Sequence, residues 1–460
     1  MFSLLFSTVA LAAIAHGDGL PAATPTSVGM SAERLAKIDH VIERGIRAGG
    51  YPGASVVVGR RGAAVWEKGF GRLGWSSSDP DVTANTIYDL ASLTKVVGTT
   101  TAVMLLFDED KIQLDEPVKN YLPEFSGGDK DLVTVRMLLE HRSGLPAGRD
   151  LWRLASSPAD ARRAVLETPL AYKPGRSEEY SDLGADVLGF MVERVSGQSL
   201  DAFLDSRVFK PLGMTQTMFR PSPLLKAQVA PTEINPPRGY PLQGEVHDEN
   251  AYALGGVAGH AGIFSTAADL SVFAQMMLNG GEFQGTRLIK ESTVALFTKN
   301  TTSRGTRALG WDTCGHQGSC GKYLSDNAYG HTGFTGTSLW IDPEREMFVI
   351  LLTNRVHAAR AKRPATVIGD VRADLSDAAA LAVTDSPDGM LAMPAAFRAD
   401  RAKDWNRPVR VRHSRTTKKK ATRPKSSVVQ AGKTTSAKSA KPAAKAATKP
   451  ASSSKKAAKK

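Results

Sequence analysis

The sequence predicts an α/β fold in which strands from both ends of the chain bracket a long helical middle. Two β-branched strand pairs carry that reading, one before residue 71 and one after residue 337. The stretch between about 114 and 278 supplies the rest, being mainly helix-compatible segments and Gly- or Pro-rich loops. At the N-terminal end, Ser31-Ala32-Glu33 opens a helix running to Ile46, with Ser31 as its cap. Residues 54–59 and 63–70 then read as strands joined by a turn at Arg60-Arg61-Gly62. An apolar, small-residue run of helical length covers 96–107. The second strand pair, 338–342 and 347–353, turns at Pro343-Glu344-Arg345, and 364–381 alternates at helical spacing. A chain of 460 residues has room for one large domain or two smaller ones, and no internal repeat is present.

From about Thr384 the composition changes abruptly. Residues 401–460 hold twenty Lys and Arg against the single acid Asp404, a charge of +19. Set against +13 for the whole chain, that leaves −6 for residues 1–400, so the basic balance belongs to the tail. Residues 384–460 are expected to be disordered, because so few apolar groups cannot offset the entropy of ordering. A polycation of this kind binds anionic lipids, envelope polymers or nucleic acid by counterion release, or acts only as a solvated spacer.

The N-terminus bears on which partner is available. Residues 2–15 form a short apolar run ending in Ala13-Ile14-Ala15, a small-x-small pattern. The run is shorter than the roughly 20 residues needed to span a bilayer. Residues 1–15 are therefore expected to be a signal peptide, although no Lys or Arg precedes the run. Export to a periplasmic or extracellular space follows, and ranks nucleic acid below lipids and envelope polymers as the tail's partner. The chain's two cysteines, Cys314 and Cys320, bracket Gly315-His316-Gln317-Gly318-Ser319. In an oxidising compartment they form a local disulfide; in a cytosolic loop they would be free thiols.

Three short motifs carry chemistry. Ser92-Leu93-Thr94-Lys95 is an S-x-x-K, Tyr180-Ser181-Asp182 a Y-x-[ND], and His331-Thr332-Gly333 a basic-Thr-Gly. A serine attacks a carbonyl only when another group takes its proton, and both a lysine three residues on and a tyrosine are candidates. At i and i+3 on a helix the Ser92 hydroxyl and the Lys95 amine become neighbours. The tail offers the same spacing at Ser452–Lys455 and Ser453–Lys456 by composition alone, so context matters. Lys95 precedes Val96-Val97-Gly98, surroundings that look buried. Burial is expected to depress its pKa, so that it accepts a proton near neutrality.

Together these motifs and the stretches 134–146, Pro174-Gly175, 180–189, 247–251, 255–265 and 331–337 resemble the serine β-lactamase and penicillin-binding-protein-like superfamily. The likeness is on its class C β-lactamase, D,D-peptidase and esterase side, and spans about 31 to 381. It implies a two-lobed β-lactamase-like fold within 16–383: an antiparallel sheet flanked by helices, plus a mainly helical lobe, with the site in the cleft between them. It also implies that Ser92 is the nucleophile and that Lys95 and Tyr180 serve as base and later acid. The backbone N–H groups of Ser92 and Phe334 would form the oxyanion hole, with His331, Thr332, Gly333 and Asp182 lining the site.

Two positions depart from the commoner pattern. Asp182 stands where Asn is usual, and His331 where β-lactamases often carry Lys. Both make the site less positive and disfavour carboxylate-bearing substrates. His331, with an ordinary pKa of about 6.5, would be mostly neutral at pH 7 unless Asp182 lies close. The expected activity is therefore hydrolysis of ester or small amide bonds, with D-Ala-D-Ala carboxypeptidase or β-lactamase as the alternative. A catalytically silent polyanion-binding module is the alternative from another class. His141, His247 and His260 lack the i, i+4 spacing of zinc ligands, so neither metal nor cofactor is expected, and Asp248, Glu249 and Asn250 either line the cleft or take turn and cap roles.

Overall fold

The computed structural model describes residues 19–300, 305–315, 318–386 and 389–402. The expected signal peptide and residues 403–460 lie outside them. Its core is a six-stranded antiparallel sheet of β1 (Gly53–Arg60), β2 (Ala63–Gly71), β3 (Asp312–Thr313), β4 (Tyr329–Thr332), β5 (Ser338–Asp342) and β6 (Met347–Thr353). The strand order is β2-β1-β6-β5-β4-β3. The two strand pairs from opposite ends of the chain thus meet at the centre, where Val57 lies opposite Ile350. The β1–β2 turn runs through Arg61 and Gly62, both at positive φ, as a tight hairpin requires.

Five helices matter for the site: α1 (Lys37–Arg47), α2 (Thr101–Asp108), α3 (Asp182–Ser196), α4 (Ala267–Leu278) and α5 (Pro364–Leu381). Alternation along β1 and β6 divides the core. Val56, Val58, Val349 and Leu351 point toward Ile38, Val41 and Ile42 of α1 and Val367, Val371 and Leu375 of α5. Val57, Phe348, Ile350 and Leu352 point the other way, into a larger cluster with Leu270 and Phe273 of α4 and the helical segments. Both faces are covered, so β1 is buried at every residue. A wholly buried side chain of this size contributes about 1.5–3 kcal/mol.

The first expected helix is interrupted. Ser31 does cap Ala32–Leu35, its side chain accepting from the Arg34 N–H at 3.3 Å, but a turn at Ala36 precedes α1. Packed structure also continues past residue 383. Asp385 pairs with Arg60 and Arg61, Phe397 is buried, and Asp400 pairs with Arg44 and His40. Paired charges and one buried aromatic anchor this segment, features that bulk composition does not register. Cys314 and Cys320 form a disulfide with Cα atoms 5.7 Å apart, shortly before β4.

Candidate active site

Ser92 follows a short strand, Tyr88–Asp89, that pairs with Ile263–Ser265. Between strand and serine the backbone turns at Ala91, which holds a left-handed φ of 48°. Such a conformation costs a non-glycine residue about 1–3 kcal/mol and persists only where its surroundings enforce it. Asp89 enforces it here: one carboxylate oxygen accepts from the Ala91 N–H at 2.8 Å, the other from the His247 N–H at 2.7 Å. The chain then passes through a 3₁₀ turn and a π-helical stretch, Lys95–Thr100, before becoming α2. Ser92 is half-buried in an otherwise buried run.

Lys95 is 3% exposed and uses its ammonium group three ways. It donates to Ser92 Oγ at 3.1 Å, to Asp182 Oδ1 at 2.7 Å and to the carbonyl of His260 at 3.2 Å. The expected downward shift is overturned by these partners. Burial does pull the Lys95 pKa down, but the Asp182 charge and Tyr180 outweigh it and the net displacement is upward. Lys95 is therefore an ammonium ion at neutral pH. If Asp182 holds it there, Asp182→Asn removes the largest opposition to burial and lowers the pKa. An NMR titration of the Lys95 side chain should show its transition at lower pH in the variant than in the wild type; an unmoved transition would mean that Tyr180 and the carbonyl suffice.

Tyr180 and Asp182 flank the start of α3. Ser181 caps this helix, accepting from the Gly184 N–H at 3.2 Å and donating its hydroxyl to the Pro146 carbonyl at 2.7 Å. The Ser181 N–H donates to Nδ1 of His141 at 3.1 Å. His141, at a left-handed φ of 54°, sets its ring 4.7 Å from that of Tyr180, tilted by 41°. Burial, then Arg307 and Lys95, hold its pKa well below 6.5, as an accepting Nδ1 needs. The Lys95 ammonium and the Arg307 guanidinium lie 4.8 and 5.1 Å from the Tyr180 ring centroid, and the His331 ring is 5.9 Å away.

His331 is on β4, 2% exposed, with Nδ1–H donating to the Thr332 carbonyl at 2.8 Å. Burial, reinforced by Arg307 and Lys95, places its pKa well below 6.5. It is neutral at pH 7, and Asp182, paired with Lys95, does not reverse this. The turn after β4 is tied to the segment leading to Ser92: Thr335 and Thr337 hydroxyls donate to the carbonyls of Asp89 and Leu90 at 2.7 and 2.9 Å. Gly333 is needed for that contact, since a Cβ there would sit 2.4 Å from the Leu90 carbonyl and 2.1 Å from Thr337 Oγ1. Thr332 is half-buried at the cleft, and Phe334 is 60% exposed. All three motifs converge on one point.

A family model described as Beta-lactamase matches residues 38–373. The chain belongs to the beta-lactamase family. A protein of Escherichia coli strain K12 named "Putative D-alanyl-D-alanine carboxypeptidase" is 35% identical over 379 residues, covering 74% of this chain and 86% of that protein. A solved family VIII carboxylesterase superposes with a TM-score of 0.60 at 22% identity, over 76% of this chain and 98% of its own. A penicillin-binding-protein homologue from Caulobacter crescentus gives 0.58 at 21%, over 71% and 93%. These two likenesses concern the fold, which is β-lactamase-like, with an antiparallel sheet and many helices.

Around this beta-lactamase-family site stand cations that no motif announced. Arg372 of α5 is half-buried and donates to the carbonyls of Gly333 and Thr337 at 2.7 and 2.8 Å. Burial, reinforced by Arg355, pulls its pKa down to about 9. The Arg355 guanidinium stacks 4.6 Å from the Phe334 ring centroid, with no ion pair among the described residues. The site is thus more cationic than Asp182 and His331 alone suggest. Asp248 takes the expected cap role, accepting from the Asn250 and Ala251 N–H groups. His247 pairs with Glu233 at 2.8 Å, and no cluster with metal-ligand composition occurs among the described residues.

Proposed function

We propose that this chain is a serine hydrolase that forms an acyl-enzyme on Ser92 and acts on ester and small amide bonds. The observation that carries the reading is the Lys95 ammonium, held between Ser92 Oγ at 3.1 Å and Asp182 Oδ1 at 2.7 Å. Because Lys95 is already charged, it enters the cycle as a donor, and the Ser92 proton is taken by Tyr180, whose ring centroid lies 4.8 Å from the Lys95 ammonium. The Arg307 guanidinium stands 5.1 Å from the same centroid. Ser92 Oγ attacks the carbonyl carbon and the oxyanion is received by the N–H groups of Ser92 and Phe334. The proton then passes to the leaving alkoxide or amine, and water repeats the sequence to release the acid. Mass spectrometry of the enzyme mixed with p-nitrophenyl acetate should show one acetyl group, on Ser92. The Cys314–Cys320 disulfide supports export of the enzyme to an oxidising compartment.

A second reading, D-Ala-D-Ala carboxypeptidase, is favoured by Arg355 and by the name of the 35% identical relative. A guanidinium beside Phe334 without an ion pair suits a substrate carboxylate. Neutral His331 argues the other way, so short esters should be turned over faster than nitrocefin. If the peptide is a substrate, Arg355→Ala should lower kcat/KM on diacetyl-Lys-D-Ala-D-Ala by about 10 to 100-fold, the scale of a charged hydrogen bond. Turnover of p-nitrophenyl acetate should stay within about twofold, since a neutral ester makes no such bond. An equal fall on both substrates would make Arg355 a support for Phe334 and nothing more.

A further inference from the structure

Behind Lys95 lies a buried charged array that the proposed chemistry does not use. His260 is 1% exposed, with Nδ1 2.7 Å from Asp186 Oδ1 and Nε2 3.0 Å from Asp248 Oδ1. Burial alone would keep the ring neutral, but the two carboxylates raise its pKa well above 6.5. Asp186 stands one turn beyond Asp182 on α3, so one helix face presents a carboxylate to Lys95 and the next to His260. The same Asp186 oxygen also accepts from the main-chain N–H groups of Gly259 and His260, at 3.0 and 3.3 Å. Thr99, one turn beyond Lys95, donates its hydroxyl to the Gly259 carbonyl at 2.7 Å. Packing leaves this turn no slack: a Cβ on Gly259 would lie 2.0 Å from the Ala185 carbonyl.

We infer that Asp186, His260 and Asp248 form a positioning device for Lys95, fixing the His260 carbonyl that holds the third N–H of the ammonium group. None of the three touches the reacting atoms in this arrangement; they act through Lys95. Two directions of its ammonium are set by Ser92 and Asp182, and rotation about the side chain stays restricted only while the third acceptor is fixed. Asp248 extends the device to the segment Glu249–Ala253, whose N-terminus it caps. A displacement of about 1 Å in a catalytic group costs on the order of 100-fold in rate, so a loosened turn should be felt in the chemical step.

The inference rests on the serine hydrolase reading, and its test keeps the two apart. His260→Ala should lower kcat on p-nitrophenyl acetate by about 10 to 100-fold with KM little changed, and slow fluorophosphonate labelling of Ser92 by the same factor. The Lys95 side-chain resonance should also move, which a role confined to overall stability would not produce. Should His260→Ala fail to fold, Asp248→Asn retains an oxygen for the helix cap and removes only the charge. It should lower kcat about three- to tenfold, with the same direction of shift at Lys95. A folded variant with wild-type kcat, labelling rate and Lys95 resonance overturns the inference. Absent labelling of the wild type would instead defeat the hydrolase reading, and the Lys95 resonance would still decide whether His260 holds it.

Discussion

Ser92→Ala abolishes both turnover and covalent labelling while leaving thermal unfolding almost unchanged: that is the largest effect expected of any single substitution here. The variant loses one half-buried hydroxyl and creates little cavity, and Lys95 keeps Asp182 at 2.7 Å and the His260 carbonyl at 3.2 Å. Lys95→Ala should fall nearly as far in kcat, because serine and lysine act as a unit and their losses do not add. The double variant should therefore be about as inactive as either single one. Stability should separate them, since Lys95→Ala removes a buried side chain and its ion pair with Asp182. Burst kinetics with p-nitrophenyl acetate and intact mass would measure the first effect, and calorimetry the second. Equal turnover by wild type and Ser92→Ala would refute the acyl-enzyme reading outright.

The parts of this site that could be read from sequence are those fixed by local geometry. Ser92 and Lys95 meet because three residues of helical chain bring them together, and the 3.1 Å contact depends on nothing distant. The strand pairs were readable for a similar reason, as β-branched runs joined by short turns. What sequence spacing does not carry is the field around a group. Burial of Lys95 implies a depressed pKa, and the opposite holds because Asp182, 87 residues away, lies at the start of a helix aimed at it. Arg307, Arg355 and Arg372 come from a loop, the segment after β6, and α5, and only the tertiary fold brings them against Tyr180, Phe334 and Gly333. Likewise Asp186 looks like an unremarkable acid in an apolar helix until His260 is placed against it. The reading of the site as poor in positive charge weighed two motif positions and had no access to these three arginines.

Tyr180→Phe is the second large effect expected, and it separates the two candidate proton carriers. The substitution keeps the ring, so its contacts with His141 at 4.7 Å and His331 at 5.9 Å survive, and only the phenolic oxygen is lost. Were Lys95 neutral, it could take over as base and the variant would remain active. It is not neutral, since the Asp182 carboxylate, which the substitution leaves in place, opposes burial and raises its pKa. Loss of a general acid–base group typically costs about 100 to 10,000-fold, and kcat on p-nitrophenyl acetate should fall within that range. Combining Tyr180→Phe with Asp182→Asn sharpens the test. The second change lowers the Lys95 pKa, so the lysine becomes the base that Tyr180 no longer is, and activity should partly return as pH rises through the new Lys95 value. A loss below tenfold in Tyr180→Phe alone would show that Lys95 gives up its proton despite Asp182, leaving Tyr180 as a packing residue between two neutral imidazoles.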